Sequence, residues 1–238
     1  MSVMILKNKP TILAIDSASN ACSAALLIDG DIHRQEWKQM TRGHAKVLMP
    51  MISSVVGDYG YHSIDAIAVT IGPGAYTGIR IGLATARGLA LASELPMIGV
   101  SNFKAVAREV SQNITGKTHI LAILETKRAD VYVQSFTSGL KPLSKPACMP
   151  PEKVISEFDN LFVSTTPVIL AGDAVYKVVK GMSGKNTYEV AAGNGLTNAI
   201  FVAYEGMDRL MENPTLGKEK IPGPMYLRPP DVSIPKTD

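Results

Sequence analysis

The hydrophobic pattern of the chain is dominated by a long apolar helix that follows a short buried strand. Residues 65–71 form a run rich in β-branched side chains, which is typical of a strand covered on both faces. The Gly-Pro-Gly sequence at 72–74 ends this run, and Thr77 is a suitable N-cap for the helix that follows. The pattern therefore predicts a strand, a tight turn and a helix over residues 77–95.

The predicted helix is more apolar than packing on one side requires. At about 100° per residue its charged side chains, Arg80, Arg87 and Glu94, fall on one narrow line, and every other direction is apolar or small. Gly78, Gly82 and Ala86 recur every four residues, so another backbone can approach closely along that line. The helix is therefore predicted to be covered on two sides, as an interface as well as a core element.

The glycine-rich turn does not match the known phosphate-binding loops. A Walker loop requires Lys followed by Ser or Thr after its last glycine, but Gly78 is followed by Ile79. The glycine spacing also differs from a dinucleotide fingerprint, and the next strand ends in Ser101 and Asn102 rather than in an acid. We therefore interpret the turn as structural.

A second helix is predicted over His44–Val56, and it too is unusually apolar. Its core stripe contains Leu48 and Ile52, whereas Val47, Met49 and Met51 lie off that stripe.

Bulk composition indicates a folded domain without membrane segments. The 238 residues are 46% hydrophobic, and a net charge of +3 is compatible with a nucleic-acid partner without arguing for one. We find no signal peptide, and Arg80 and Arg87 argue against a membrane span. Cys22 and Cys148 are expected to be reduced thiols of a cytoplasmic protein.

The pattern of the first strands starts again in the second half of the chain. The sequence Ile-Leu-Ala-Ile occurs at 12–15 and at 120–123, followed each time by a polar turn and another strand. This repetition predicts an internal duplication with an α/β fold. We place the two halves at residues 1–105 and 106–238, the second being reduced and ending in a proline-rich extended segment.

Several of these motifs together resemble one protein family. They are Ile12 to Asp16 leading to Ala21-Cys22-Ser23, His44 at a helix start, the block at 72–90, and Tyr226-Leu227-Arg228. The chain resembles the TsaB (YeaZ) family, the non-catalytic subunits of the bacterial machinery that makes threonylcarbamoyladenosine in tRNA. Ala75-Tyr76 replaces the Ser-Phe of the family pattern, which is a mild departure.

The resemblance implies a fold and a set of partners. The fold is that of actin, Hsp70 and the sugar kinases. The implied partners are the catalytic subunit TsaD in a heterodimer, the ATPase TsaE docked on that pair, and TsaC, which supplies the threonylcarbamoyl-adenylate. Contact with tRNA is expected to be only indirect, and the isolated chain is expected to form a homodimer.

No catalytic, cofactor or metal residues are predicted. Proteins of this fold carry Asp-x-Gly-Ser/Thr in the first turn, but here Asp16 is followed by Ser-Ala-Ser, so Asp16 either holds a magnesium-bound water or caps its own turn. The second turn offers Glu125, Lys127 and Arg128, which we interpret as solvated charges rather than as a phosphate site. TsaD-like relatives use His-x-x-x-His as a metal motif, whereas here Leu48 follows His44.

We therefore expect a pseudo-enzyme that acts as scaffold and activator of TsaD. The alternative is an ATP-dependent small-molecule kinase of the same fold with an atypical phosphate loop. The docking surface is predicted on the two apolar helices, at Val47, Met49, Met51, Gly78, Ile79, Gly82, Leu83 and Ala86.

Overall fold

A computed structural model describes residues 9–162, 164–180, 188–217 and 221–228. The strands are β1 (Ile12–Asp16), β2 (Ala21–Ile28), β3 (Asp31–Gln39), β4 (Ala66–Gly72), β5 (Met97–Ser101), β6 (His119–Glu125), β7 (Val131–Thr137), β8 (Ala147–Met149), β9 (Val168–Ala171) and β10 (Tyr188–Val190). The helices are α1 (His44–Val56), α2 (Tyr76–Ala92), α3 (Asn102–Ser111), α4 (Pro151–Glu157), α5 (Asp159–Phe162), α6 (Val175–Val179) and α7 (Ala199–Glu212). Two short 3₁₀ turns follow α1.

The strands form two sheets with the same internal order. The first sheet runs β3-β2-β1-β4-β5, and the second, read from its other edge, runs β8-β7-β6-β9-β10. In each sheet the Ile-Leu-Ala-Ile strand is central, antiparallel to the strand that follows it and parallel to the next strand on its other side. This correspondence confirms the two related α/β halves that the sequence repeat predicted.

Helices cover both faces of each sheet. On one face of the first sheet, α1 and α2 pack on buried side chains of β1 and β4, such as Leu13 and Ile67. On its other face, α7 buries Val202 and Ala203 against Ile12 of β1. Helix α3 lies between the halves, and α4 to α6 cover the far side of the second sheet.

Helix α7 does not follow the division of the chain at residue 105. It lies in the second half of the sequence, yet it packs against β1, β2, β4 and β5 of the first sheet. Its Gly206 allows this close approach, because a Cβ atom there would lie 2.7 Å from Cβ of Ala68. The first sheet is therefore completed by residues from the end of the chain.

The apolar helix begins one residue earlier than its sequence indicates. Helix α2 starts at Tyr76 with Ala75 as N-cap, and no side chain caps it, so the expected capping by Thr77 was wrong. It ends at Ala92, three residues before the predicted end. Among the helices of the described ranges, none has the length and apolar character that crossing a bilayer requires.

The proline-rich segment 221–228 contains neither helix nor strand, as its composition predicted, while residues 229 and 230 of that prediction lie outside the described residues. It runs across the start of α2: the Met225 amide donates to the Ile71 carbonyl at 2.7 Å, and Arg80 donates to the Tyr226 hydroxyl at 3.1 Å. Arg228 reaches the second half, where it pairs with Asp130 at 2.7 Å. The segment therefore connects both halves.

Candidate functional site

The first turn after β1 holds a buried carboxylate that its own chain fully engages. Oδ1 of Asp16 accepts hydrogen bonds from Thr70 Oγ1 at 2.7 Å, the Ala18 amide at 3.2 Å and Asn102 Nδ2 at 3.3 Å, while Oδ2 accepts one from Ser19. Asp16 has no exposed surface, and this burial raises its pKa from 3.8 to about 6, against the opposing effect of the hydrogen bonds. Asp16 is therefore a structural group that braces the turn.

We expect Asp16→Asn to remove a pH-dependent loss of stability. The pKa of Asp16 is higher in the folded state than in the unfolded state, so protonation of Asp16 stabilises the fold. This stabilisation is complete below pH 3.8 and is lost as the pH rises through about 6. The difference between the two pKa values of Asp16 corresponds to about 3 kcal/mol of unfolding free energy. In urea unfolding, the variant should gain most of that amount relative to wild type between pH 4 and pH 7.

The exposed Asp58→Asn variant provides the matched control, since it also removes one carboxylate but from a solvated position. A difference between Asp16→Asn and wild type that stays constant over this pH range would contradict the assignment.

The second turn, after β6, is also closed by its own side chains. Glu125 accepts from Lys177 Nζ at 2.6 Å and from the Lys127 amide at 2.7 Å, and Tyr176 donates to its other oxygen. Burial works to raise the pKa of Glu125, but these partners outweigh it and hold that pKa below its ordinary value. Burial raises the pKa of the neighbouring Asp173 to about 6. Lys127 and Arg128 are exposed, as expected, but Glu125 is half-buried and paired with Lys177, so its interpretation as a solvated charge was wrong.

The innermost space between these two turns is small. The cavity that Ser19, Gly74, Asn102, Asp173 and Thr197 help to line has a volume of about 20 Å³. That volume accommodates about one water molecule, whereas ligand pockets are typically about 300–1,000 Å³. A Cβ atom on Gly74 would lie only 2.3 Å from the Ala18 carbonyl oxygen, so the first turn and the Gly-Pro-Gly turn are in direct contact. This innermost part, which we call the closed cleft, lacks the volume for a nucleotide.

His44 is held in place by a hydrogen bond within its own chain. It is buried at the start of α1, and its Nε2 donates to the Ser19 carbonyl at 3.2 Å. Leu48, one turn later, is buried in the core of the first half. Within the described part of the chain, no group of three or more His, Cys, Asp or Glu side chains is arranged to hold a metal ion.

The small-residue line of α2 faces the interior of the protein. Gly78, Ile79, Gly82, Leu83 and Ala86 are all buried in the first half. A Cβ atom on Gly78 would lie 2.1 Å from the Ser17 carbonyl oxygen, and one on Gly82 would lie 2.8 Å from Ser17 Oγ. The prediction that a partner backbone approaches this line is therefore corrected: the backbone that approaches it belongs to the first turn of the same chain.

The three predicted positions on α1 differ in exposure. Met51 is buried and Val47 is half-buried, whereas Met49 is 41% exposed. On α2 the most exposed large apolar side chain is Leu91, at 84%, which the sequence pattern did not identify. Both helices lie on the same face of the first sheet, and their outer sides expose a few apolar side chains beside charged ones such as Lys46, Arg80 and Arg87. We call Met49 and Leu91, with the exposed Ala45 and Ala84, the outer helix face.

The two equivalent sheets and the turns that face each other between them define a protein of the actin-like ATPase fold. In this chain only the innermost part of the cleft between the turns is closed. The family described as "TsaD: tRNA N6-adenosine threonylcarbamoyltransferase" matches residues 38–201, which is more than half of the chain. The chain belongs to this family, and its resemblance is to the TsaB (YeaZ) members.

Three comparisons support that resemblance. The tRNA threonylcarbamoyladenosine biosynthesis protein TsaB of Haemophilus influenzae is 27% identical over 92% of this chain and 93% of its own. TsaB of Escherichia coli is 40% identical, but the match covers 51% of this chain and 52% of that relative, which is about half of its length. The structure of YeaZ from Pseudomonas aeruginosa superposes with a TM-score of 0.77 and 26% identity, over 92% of this chain and all of that one.

Proposed function

We propose that this chain is a non-catalytic subunit of tRNA threonylcarbamoyladenosine biosynthesis, and that it acts as scaffold and activator of the catalytic subunit TsaD. The family match and the printed names of the relatives support the pathway. TsaC would supply the threonylcarbamoyl-adenylate, and TsaE would dock on the assembled pair.

The closed cleft is the observation that carries the non-catalytic role. The innermost space between the two turns, lined by Ser19 and Glu125 among others, has only about 20 Å³, which is too small for a phosphate group. The carboxylate of Asp16, which a magnesium-bound water would need, accepts hydrogen bonds from groups of its own chain on both oxygens.

Docking is assigned to the outer helix face. The inner sides of α1 and α2 are used by the core, so a partner can reach only their outer sides. Met49 and Leu91 offer flexible apolar side chains there, and Met in particular adapts to irregular contacts. We propose that the same face forms the homodimer of the isolated chain, so that TsaD replaces the second copy.

Reconstitution with each subunit omitted tests this function. We expect radiolabelled threonine to be incorporated into an unmodified tRNA transcript when this chain, TsaD and TsaC with its substrates are combined. TsaE is titrated separately. Omission of this chain should abolish incorporation. Incorporation at an unchanged rate without it would contradict the scaffold role.

The kinase alternative predicts a different result for the isolated chain. A kinase would bind or hydrolyse ATP with Mg²⁺, and Asp16→Ala would abolish the turnover. The scaffold predicts no turnover above a buffer blank in either protein. Robust turnover that disappears in the variant would overturn the proposed function.

A further inference from the structure

A basic groove runs between the two halves at the side of the closed cleft. Its larger part has a volume of about 730 Å³, and a second part of about 480 Å³ shares Thr41, Arg42 and Lys127 with it. Arg42 is contributed by the loop before α1 in the first half, whereas Lys127 belongs to the turn between β6 and β7 in the second. The two parts are adjacent, since they share these three residues.

The groove is cationic because acids are missing from its walls. Arg42, Lys127 and Arg128 are exposed at its surface, and among the described residues that line the larger part none is Asp or Glu. Glu125 lines the smaller part, but the ammonium group of Lys177 neutralises it at 2.6 Å. An anion in the groove would therefore meet at least three positive charges and no uncompensated negative one.

An aromatic pair stands in the wall of the larger part. The rings of Tyr76 and Tyr226 are stacked with centroids 5.1 Å apart, and both are more than a third exposed. Arg80 fixes this pair, because its guanidinium carbon lies 4.0 Å from the Tyr76 ring centroid while its Nε donates to the Tyr226 hydroxyl. The groove thus combines exposed positive charges with an aromatic surface.

We propose that this groove binds a single-stranded segment of the tRNA substrate directly. Phosphates would pair with Arg42, Lys127 and Arg128, and an unpaired base would stack on the tyrosine pair, which are the two contacts that single-stranded RNA sites use. An acidic peptide would satisfy the charges but leave the aromatic surface without a partner. A mononucleotide would occupy only part of the combined volume of the groove.

This inference rests on the proposed function, since tRNA is the substrate that the pathway provides, and it differs from the indirect contact that the resemblance implied. The groove and the outer helix face meet at Ala45, which belongs to both, but the charged and aromatic residues of the groove are not part of that face.

Fluorescence anisotropy with a labelled, unmodified tRNA transcript tests the groove, using the full chain alone and in complex with TsaD. We expect Arg42→Glu with Lys127→Glu to weaken binding at least tenfold. The slope of log K against log salt should fall by about 1.5, because two phosphate contacts are lost. The control is Lys38→Glu with Lys145→Glu, which makes the same charge change at exposed positions, one in each half outside the groove. It should change affinity less than twofold.

The contribution of the Tyr76 ring to binding distinguishes RNA from anions that carry no bases. Tyr76→Ala should weaken tRNA binding roughly tenfold with an unchanged salt slope, because stacking on a base is lost, while Tyr76→Phe should bind like wild type. Labelled polyglutamate serves as the acidic-peptide probe. Binding of polyglutamate but not of tRNA, with the same sensitivity to the groove variant, would overturn the proposal in favour of a protein partner.

Two further outcomes would overturn it. One is a wild-type chain that binds no tRNA either alone or with TsaD, and the other is an equal loss in the groove and control variants. The omission assay keeps the two proposals apart. If the chain is required for threonine incorporation and the groove variant incorporates normally, the groove proposal fails while the scaffold role stands.

Discussion

Gly78→Ala is expected to destabilise the protein by about 3 kcal/mol, the upper end of the usual range for overpacking. The added Cβ atom would lie 2.1 Å from the carbonyl oxygen of Ser17 and 3.1 Å from its carbonyl carbon. These are backbone atoms, so no side-chain rotation can relieve the overlap. The turn after β1 would have to separate from α2, which would also strain the hydrogen bond from Ser17 Oγ to the Gly78 carbonyl.

Gly88→Ala is the matched control on the same helix. No atom lies within 4 Å of a Cβ placed there, and Gly88 is exposed. Because alanine is the better helix former, this variant should gain roughly 0.8 kcal/mol. Urea unfolding followed by circular dichroism at 222 nm would measure both changes. Equal stabilities of the two variants would contradict the burial of the small-residue line.

The expected effect of Gly82→Arg follows from the same geometry. A Cβ atom there would lie 2.8 Å from Ser17 Oγ and 3.5 Å from Val69 Cγ2, in the interior of the first half. An arginine side chain therefore has no route to solvent without displacing the turn. We expect loss of soluble, folded protein, not a folded protein that fails to bind a partner.

The sequence predicted the fold because its signals are local and repeated. The two Ile-Leu-Ala-Ile strands, each followed by a polar turn and a second strand, identify the centre of each sheet and its antiparallel neighbour. The return of α7 to the first sheet carries no such signal. That packing depends on Gly206 meeting Ala68, two residues far apart in the chain.

What covers the small-residue side of α2 could not be predicted, for a physical reason. The line of Arg80, Arg87 and Glu94 marks the exposed side of the helix, but the small residues opposite allow close approach by a partner backbone as readily as by the chain's own. The first turn decides between the two, because Ser17 and Ala18 approach the Gly78 line from 60 or more residues away.

The groove was also invisible in the sequence. No dense run of basic residues is present, because Arg42 and Lys127 are brought together only when the two halves fold against each other. The mild net charge of +3 therefore understates the local charge of this surface. Neutralisation of Glu125 by Lys177, 52 positions later, is likewise a product of the second half's fold.

Charge on the outer helix face is expected to abolish TsaD binding without unfolding the chain. Met49→Arg with Leu91→Arg places two cations on an apolar contact, where each would lose its water without gaining a partner. The loss should be at least about 3 kcal/mol, or roughly a hundredfold in affinity. Both side chains are exposed, so the melting temperature should change little.

Met211→Arg provides the control for this variant. Met211 is 52% exposed on α7, which covers the opposite face of the first sheet. Pull-down with TsaD and light scattering of the isolated chain would be measured on the same samples as circular dichroism melting. The double variant should be monomeric and unable to retain TsaD, whereas Met211→Arg should match wild type in both assays. A folded double variant that still binds TsaD normally would exclude the outer helix face as the docking surface and direct attention to the second half.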